Sequence, residues 1–174
     1  MSTNRFAHLL RDVPDFPRPG IRFCDISPLL ADAAGLRAAV ESLVAPWRPA
    51  PPDLVAGIES RGFILGAAAA TLLGCGFVPV RKPGKLPAEV LHETYALEYG
   101  SDRLEVHADA ARPGQRVLLV DDVLATGGTL AAARRLVERL GATLAGAAVL
   151  VELEGLGGRA RWASDAPLHA ALVR

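Results

Sequence analysis

The residues best suited to chemistry lie together in one stretch, Val117–Leu130, whose sequence is VLLVDDVLATGGTL. Its first four residues are apolar, which predicts a strand buried on both faces of a sheet. Two carboxylates, Asp121 and Asp122, follow at the point where this strand is expected to leave the sheet. A turn rich in glycine and threonine comes next and leads into a helical pattern, so the stretch predicts a strand, a loop and a helix.

The turn has the composition of a phosphate-binding loop. Glycines let backbone N–H groups approach a ligand, threonines add hydroxyl donors, and a helix start adds unpaired N–H groups and the positive end of a dipole. The two carboxylates beside it would repel a second phosphate but suit hydroxyl groups or a metal ion. The stretch therefore predicts a ribose 5-phosphate site. Its loop residues are Ala125, Thr126, Gly127, Gly128 and Thr129.

Two other interpretations of the turn fit its sequence less well. In the first, Asp122 and the threonines only cap the helix and turn the chain. That leaves unexplained why two acids are neighbours at a strand end, where repulsion opposes the ionisation of both. In the second, the turn would be a nucleoside-triphosphate loop, but no Gly-Lys-Ser/Thr sequence follows the glycines.

Basic residues follow two other predicted strands. Arg61 comes after the apolar run 54–58, and Arg81, Lys82 and Lys85 come after the run 77–80. Because ligands collect at the carboxyl ends of strands in open α/β sheets, these side chains are expected near the acid pair. Guanidinium groups fit phosphate oxygens well. The alternatives are a surface arginine beside a turn and a solvated run of charge.

The segment 120–129, VDDVLATGGT, resembles the binding motif for 5-phosphoribosyl 1-pyrophosphate (PRPP) in type I phosphoribosyltransferases. Its Ala-Thr-Gly-Gly-Thr form resembles that of the adenine-specific branch of this family. The resemblance implies transfer of the phosphoribosyl group from PRPP to adenine, giving AMP and pyrophosphate. It also implies a homodimer that uses Mg²⁺, held mainly by PRPP and water near Asp121 and Asp122, with no dedicated protein site.

The resemblance extends to the residues that would contact the other parts of the substrates. Phe23 would lie near the adenine ring between two leucines, with backbone groups of residues 21–25 reading the edge of the base. Without the resemblance, Phe23 is an ordinary core residue and Asp25 a helix cap. Cys24 stands where many relatives have arginine. The implied adenine pocket is Ile21, Phe23, Cys24, Asp25, Leu124 and Leu153, and the implied pyrophosphate site is Ser60, Arg61, Arg81, Lys82 and Lys85.

The sequence 97–100, Leu-Glu-Tyr-Gly, resembles the mobile hood of adenine phosphoribosyltransferases, in which Glu98 and Tyr99 would face the reaction centre. Relatives acting on 6-oxopurines carry Asp at the position of Ala125, so Glu98 is the candidate for handling the purine proton. The alternative is an edge hairpin with both side chains toward solvent. Related enzymes further imply a cis or distorted peptide bond between Glu59 and Ser60.

The chain of 174 residues suits a single α/β domain over 1–174, with a mainly parallel twisted sheet flanked by helices. An N-terminal arm over about 1–30 and a flexible lid over about 84–105 complete this expectation. Nineteen basic and nineteen acidic residues give a net charge of zero, which favours neither nucleic acid nor an anionic membrane as partner. Cys24 and Cys75 predict free thiols and hence a cytoplasmic protein.

Three alternatives to the adenine-specific enzyme stay open from the residues alone. The acceptor could be another base, such as xanthine or orotate. The fold could serve a PRPP-sensing regulator, which would need a basic face or an added DNA-binding segment. A diphosphokinase making PRPP would need an ATP site that the motifs do not indicate.

Overall fold

The computed structural model describes residues 5–96 and 100–174. The chain divides into two compact units, Met1–Ser42 and Leu43–Arg174, and the predicted arm falls within the first. The strands in the described residues are β1 Arg11–Val13, β2 Phe23–Asp25, β3 Leu54–Ile58, β4 Gly76–Val80, β5 Val90–Ala96, β6 Ser101–His107, β7 Arg116–Leu124, β8 Thr143–Glu152 and β9 Leu168–Val173. The α-helices are α1 Ser27–Ala31, α2 Ala33–Val44, α3 Arg61–Leu73 and α4 Gly128–Arg139.

The first unit is built on a short antiparallel pair, in which β1 and β2 align Arg11 with Asp25 and Val13 with Phe23. Helix α1 follows this pair directly. The side chain of Asp32 then accepts a hydrogen bond of 2.6 Å from the N–H of Gly35 and so stabilises the first turn of α2.

The second unit contains a five-stranded sheet in the order β4-β3-β7-β8-β9, in which all four neighbouring pairs are parallel. The apolar residues 117–120 of β7 lie at its centre and are at most 2% exposed. Burial on both faces explains why this strand is a continuous apolar run. The predicted α/β class with a parallel sheet and flanking helices is confirmed.

Helix α3 packs on β3, β4 and β7, while α4 packs on β7 and β8. The contact between α3 and β7 requires a glycine at its first turn. A Cβ atom at Gly62 would lie 2.9 Å from the carbonyl oxygen of Val120 and 3.0 Å from Oδ1 of Asp121. This close approach places the start of α3, and with it Arg61, beside the acid pair.

Strands β5 and β6 form a separate antiparallel hairpin that packs on α4. Tyr95, Leu104 and Val106 of the hairpin are buried in the same core cluster as residues of α4. An ion pair of 2.5 Å between Arg135 Nε and Glu93 Oε1 further ties the hairpin to that helix. Both strands of the hairpin are therefore anchored, although they belong to the segment expected as a lid. Glu98 and Tyr99 lie outside the described residues.

One boundary differs from the expectation in a way that affects the site. Strand β7 does not end before the acid pair but continues through Asp121 and Asp122 to Leu124. Val123 and Leu124 stay aligned with residues of β8, so pairing with the neighbouring strand extends β7 beyond its apolar run. Within the described residues, no helix is both long enough and apolar enough to cross a membrane.

Candidate active site

Arg61, one of the residues expected to bind pyrophosphate, is in direct contact with the acid pair Asp121 and Asp122. Nε of Arg61 lies 2.7 Å from Oδ2 of Asp122, whose side chain is 8% exposed. Oδ1 of Asp121 accepts a hydrogen bond of 2.9 Å from the N–H of Asp122. Three residues predicted from two separate motifs thus form one cluster.

Both acids resist ionisation. Burial raises the pKa of Asp121 well above its usual 3.8, and the neighbouring charge of Asp122 raises it further. Burial also raises the pKa of Asp122, with the Arg61 guanidinium acting in the opposite direction. Because burial opposes ionisation, hydrogen-bond donors or cations would stabilise the ionised form of both carboxylates. The pair can therefore accept hydrogen bonds from ribose hydroxyl groups or help to bind a metal ion.

The glycine loop forms a small cleft beside the acid pair. Gly127 has a left-handed conformation, φ +81°, and directly precedes α4. The first backbone hydrogen bond of the helix runs from the N–H of Ala131 to the carbonyl of Gly127, 3.0 Å, so the N–H groups of residues 128–130 have no partner within the helix. The cleft is lined by Asp121, Val123, Leu124, Ala125, Thr126, Gly127, Thr129, Leu130 and Val149.

A second glycine loop, which was not predicted as part of the site, shapes the first. A Cβ atom at Gly158 would lie only 2.2 Å from the carbonyl oxygen of Ala125, and one at Gly127 would lie 2.6 Å from the carbonyl oxygen of Gly158. The two loops can approach this closely only because both positions are glycine. The signal for it was the cluster of glycines that follows strand β8, at the same sheet edge as the phosphate loop.

Glu59 binds the loop after β4, here called the basic loop (residues 81–85), and it was also not predicted as a site residue. Its Oε2 accepts a hydrogen bond of 2.9 Å from the N–H of Lys82 and lies 3.5 Å from Nε of Arg81. Its Oε1 pairs with Nζ of Lys85. Burial acts to raise the pKa of Glu59, but these donors, Lys85 foremost, lower it. The signal in the sequence was an acidic residue directly after one strand, together with a basic run after another strand that contains no acid of its own.

The basic loop is connected to the glycine loop over 125–129, here called the phosphate loop, through the β5–β6 hairpin. Nζ of Lys82 pairs with Oδ2 of Asp102 and donates a hydrogen bond of 3.1 Å to the hydroxyl of Tyr95. The same Tyr95 hydroxyl donates to Asp102 at 3.1 Å and accepts from Oγ1 of Thr129 at 3.2 Å. Asp102 and Tyr95 were not predicted, because a pattern of strand residues gives no indication of such a contact.

The loop between β3 and α3 has the predicted backbone. The peptide bond between Glu59 and Ser60 is cis, so this prediction is confirmed. Ser60 directly precedes α3 as its cap residue, and the guanidinium of Arg81 lies 5.9 Å from the ring centroid of Phe63 in that helix.

Two residues of the implied adenine pocket are neighbours in the second unit. Leu124 is buried, and the N–H of Leu153 donates a hydrogen bond of 2.9 Å to its carbonyl oxygen. The other pocket residues belong to the first unit. Their grouping with the leucines around a base stays a prediction.

The pocket residues of the first unit have local roles of their own. Phe23 packs edge to face on Phe16 with ring centroids 5.1 Å apart. Asp25 accepts hydrogen bonds from the N–H and hydroxyl of Ser27, and together with Arg11 these lower the pKa of Asp25 to about 2. The N-cap of α1 is Ile26, so the interpretation of Asp25 as the cap is wrong, although its carboxylate binds Ser27, the first residue of the helix. Cys24 is buried and Ile21 is exposed.

Comparison with known proteins places the chain among enzymes of one kind. The family model "Phosphoribosyl transferase domain" matches residues 32–166. An adenine phosphoribosyltransferase of Xanthomonas axonopodis pv. citri is 59% identical over 169 residues, covering 97% of this chain and 91% of the relative.

Solved structures give the same result. The adenine phosphoribosyltransferase of Rhodothermus marinus superposes with a TM-score of 0.93 at 53% identity, covering 97% of this chain and 96% of the other. The enzyme of Saccharomyces cerevisiae superposes with a TM-score of 0.89 at 40% identity, covering 96% of each chain.

Proposed function

This chain belongs to the adenine phosphoribosyltransferase branch of the phosphoribosyltransferase family, and we propose on that premise that it transfers the 5-phosphoribosyl group of PRPP to adenine. The products are AMP and pyrophosphate, which makes it an enzyme of purine salvage. The Saccharomyces cerevisiae structure was determined with an imino-altritol bisphosphate and adenine, which supports a sugar phosphate and a purine as ligands here.

The observation that carries this proposal is the meeting of three kinds of group at one sheet edge. Strands β3, β4 and β7 are parallel neighbours. They lead into the loop of Arg61, the basic loop and the phosphate loop, respectively. A ligand with a 5-phosphate, a diol and a pyrophosphate matches this set of groups, and PRPP has all three.

Each group has a role in the reaction. Backbone N–H groups at the start of α4 bind the 5-phosphate, and Asp121 and Asp122 accept hydrogen bonds from the ribose hydroxyls. As the bond from the anomeric carbon to pyrophosphate breaks, the sugar ring gains positive charge, which the nearby carboxylates stabilise. Arg61 and the basic loop stabilise the negative charge on the departing pyrophosphate.

A nitrogen of adenine forms the new bond to the anomeric carbon, and the ring must then lose a proton. Ala125 stands in the phosphate loop where an acid would be needed for this task, so the proposal assigns the proton to Glu98, with Tyr99 beside it at the reaction centre. The contribution expected from such a group is about 10²–10⁴ in rate. Both residues lie outside the described part of the chain.

Mg²⁺ is the proposed cofactor. In the part of the chain that the structure describes, no group of three or more His, Cys, Asp or Glu side chains is arranged to hold a metal ion. The donors that fit are the carboxylates of Asp121 and Asp122, since hard cations prefer oxygen ligands. They would share the ion with PRPP and water. When bound, Mg²⁺ neutralises charge on the pyrophosphate oxygens.

The remaining parts of the proposal concern the setting of the enzyme. We place it in the cytoplasm, which is supported by the free thiols of Cys24 and Cys75. We expect a homodimer, in line with the family resemblance, and neither nucleic acid nor a membrane as partner.

The decisive experiment measures which base consumes PRPP in the presence of Mg²⁺. We expect adenine to be converted to its monophosphate, with kcat/KM at least about 10²-fold above those of hypoxanthine, xanthine and orotate. Release of pyrophosphate is followed with each base in turn. Preference for another base would overturn the adenine assignment, and failure of the folded protein to bind PRPP in calorimetry would overturn the proposal as a whole.

A further inference from the structure

Lys82 of the basic loop is held by two residues of the β5–β6 hairpin. Its ammonium group pairs with the carboxylate of Asp102 and donates to the hydroxyl of Tyr95. The side chains of Lys82 and Asp102 are 33% and 29% exposed, so the pair is open to an incoming ligand.

Asp102 also fixes the direction of the Tyr95 hydroxyl. Because that hydroxyl donates its hydrogen to Asp102, its lone pairs face the two donors Lys82 and Thr129. The ring itself is held in place, since Tyr95 is 6% exposed and packs against Gly128, where an added Cβ would lie 3.3 Å from the ring. The position of Lys82 is therefore set by a fixed acceptor and a carboxylate.

Both members of the ion pair carry their charges at neutral pH. Burial acts to lower the pKa of Lys82, but the hydrogen bonds to Asp102 and Tyr95 raise it overall. Burial acts to raise the pKa of Asp102, but Lys82 lowers it overall. An anion that binds Lys82 must then compete with a charged carboxylate for the same ammonium group.

We propose that Asp102 is a positioning residue that acts as a resident counter-ion of Lys82 and lowers the affinity of the enzyme for pyrophosphate. Pyrophosphate takes Lys82 from Asp102 on binding, and Asp102 regains it when the product leaves. This inference rests on the proposed function, which assigns Lys82 to the pyrophosphate group. The opposite effect, weaker binding without Asp102, is what a purely structural role of this residue would produce.

The substitution Asp102→Asn separates charge from shape. The amide oxygen of asparagine can still accept the hydrogen bond from Tyr95, whereas the negative charge that competes for Lys82 is removed. We expect the Kd of pyrophosphate, measured by calorimetry with Mg²⁺ at fixed concentration, to fall about three- to tenfold. The KM for PRPP is expected to fall with it.

Asp109→Asn is the matched control, because it makes the same change of charge at an exposed position in the turn after β6. Its Kd for pyrophosphate is expected to stay within about twofold of the wild-type value. The third arm repeats Asp102→Asn in a Lys82→Ala background, where we expect it to have no effect on pyrophosphate binding, because the two side chains act as a coupled pair.

Unchanged or weaker pyrophosphate binding by folded Asp102→Asn would overturn the proposal, and so would tighter binding that persists without Lys82. If Asp102→Asn does not fold, Asp102→Ala is held to the same expectation, and failure of both to fold would assign Asp102 a structural role instead. A wild-type protein that binds neither pyrophosphate nor PRPP would contradict the proposed function rather than the role of Asp102.

Discussion

The phosphate loop over 125–129 and the basic loop over 81–85 are proposed to bind the same chemical group with different materials. The phosphate loop contains no charged side chain and relies on backbone N–H groups at a helix start. The basic loop relies on the long side chains of Arg81, Lys82 and Lys85. The first is rigid and almost independent of charge balance, while the second is adjustable and depends on it.

The pairing of the basic side chains also explains how a protein with no net charge can provide a site for a polyphosphate. Each proposed pyrophosphate cation in the described chain lies beside a carboxylate of the same unit. The pairs are Arg61 with Asp122, Arg81 and Lys85 with Glu59, and Lys82 with Asp102. Three carboxylates thus compensate most of the charge of four cations, and ligand binding becomes an exchange of partners. The phosphate loop needs no such balance, but its glycines leave little room for a side chain, since a Cβ atom at Gly127 would lie 2.6 Å from the carbonyl oxygen of Gly158.

The largest effect is expected from adding one carbon to the phosphate loop. In Gly127→Ala the new Cβ would meet the carbonyl of Gly158 at 2.6 Å, in a backbone conformation that L residues rarely adopt. We expect kcat/KM for PRPP to fall about 10²-fold, since the loop can no longer place its N–H groups on the 5-phosphate.

Gly155→Ala is the control for backbone strain. Gly155 has nearly the same φ, +83° against +81° for Gly127, but nothing lies within 4 Å of its added Cβ. Kinetic values for the two variants within about threefold of each other would show that strain alone matters, and the distinction between a rigid and an adjustable loop would fail.

The acid pair provides the next test, because it combines a functional benefit with a cost in stability. Asp121→Asn removes a buried charge but keeps an oxygen that can accept the N–H of Asp122. We expect turnover to fall about tenfold and Tm at pH 8 to rise by about 2–4 °C.

The pH dependence follows from the raised pKa of Asp121. The unfolded carboxyl titrates near 3.8, whereas the folded one titrates higher because of burial and the charge of Asp122. Between these two pH values the folded protein binds more protons, so its free energy of unfolding falls as the pH rises. The asparagine variant lacks this fall, and its advantage in Tm should appear only above about pH 4. A variant less stable than wild type at pH 8 would contradict the assignment of an unfavourable charge.

Much of the fold could be predicted from local patterns. The strand over Leu54–Ile58 was predicted residue for residue, because an apolar run bounded by Asp53 and a turn leaves little choice. The extent of β7 could not be predicted in the same way. Its last four residues are two aspartates followed by Val123 and Leu124, a pattern that does not indicate a strand. They belong to the strand because β8 continues beside them.

The candidate site shows the same division. Groups that belong to one loop, such as the glycines and threonines of 125–129, were recognised because their neighbours in sequence are their neighbours in space. Glu59 and Asp102 were missed because they act on Lys82 from 23 and 20 residues away in sequence, Glu59 from the turn after β3 and Asp102 from strand β6. A hairpin sequence of alternating residues does not reveal which carboxylate will face which lysine.

The smallest expected effect concerns salt. The basic side chains proposed to bind pyrophosphate are 31–46% exposed, so their attraction to an anion is open to screening. Between about 0.1 and 1 M NaCl the screening length falls from about 10 to about 3 Å. We therefore expect the Kd of pyrophosphate to rise about fivefold over this range and the Kd of ribose 5-phosphate to rise about twofold or less, both by calorimetry at fixed Mg²⁺. Salt weakens binding by backbone N–H groups less, because these groups act at hydrogen-bond distance, where dissolved ions do not intervene. Equal salt dependence for the two ligands would mean that both loops bind through diffuse charge, and the phosphate loop would then not differ in kind from the basic loop.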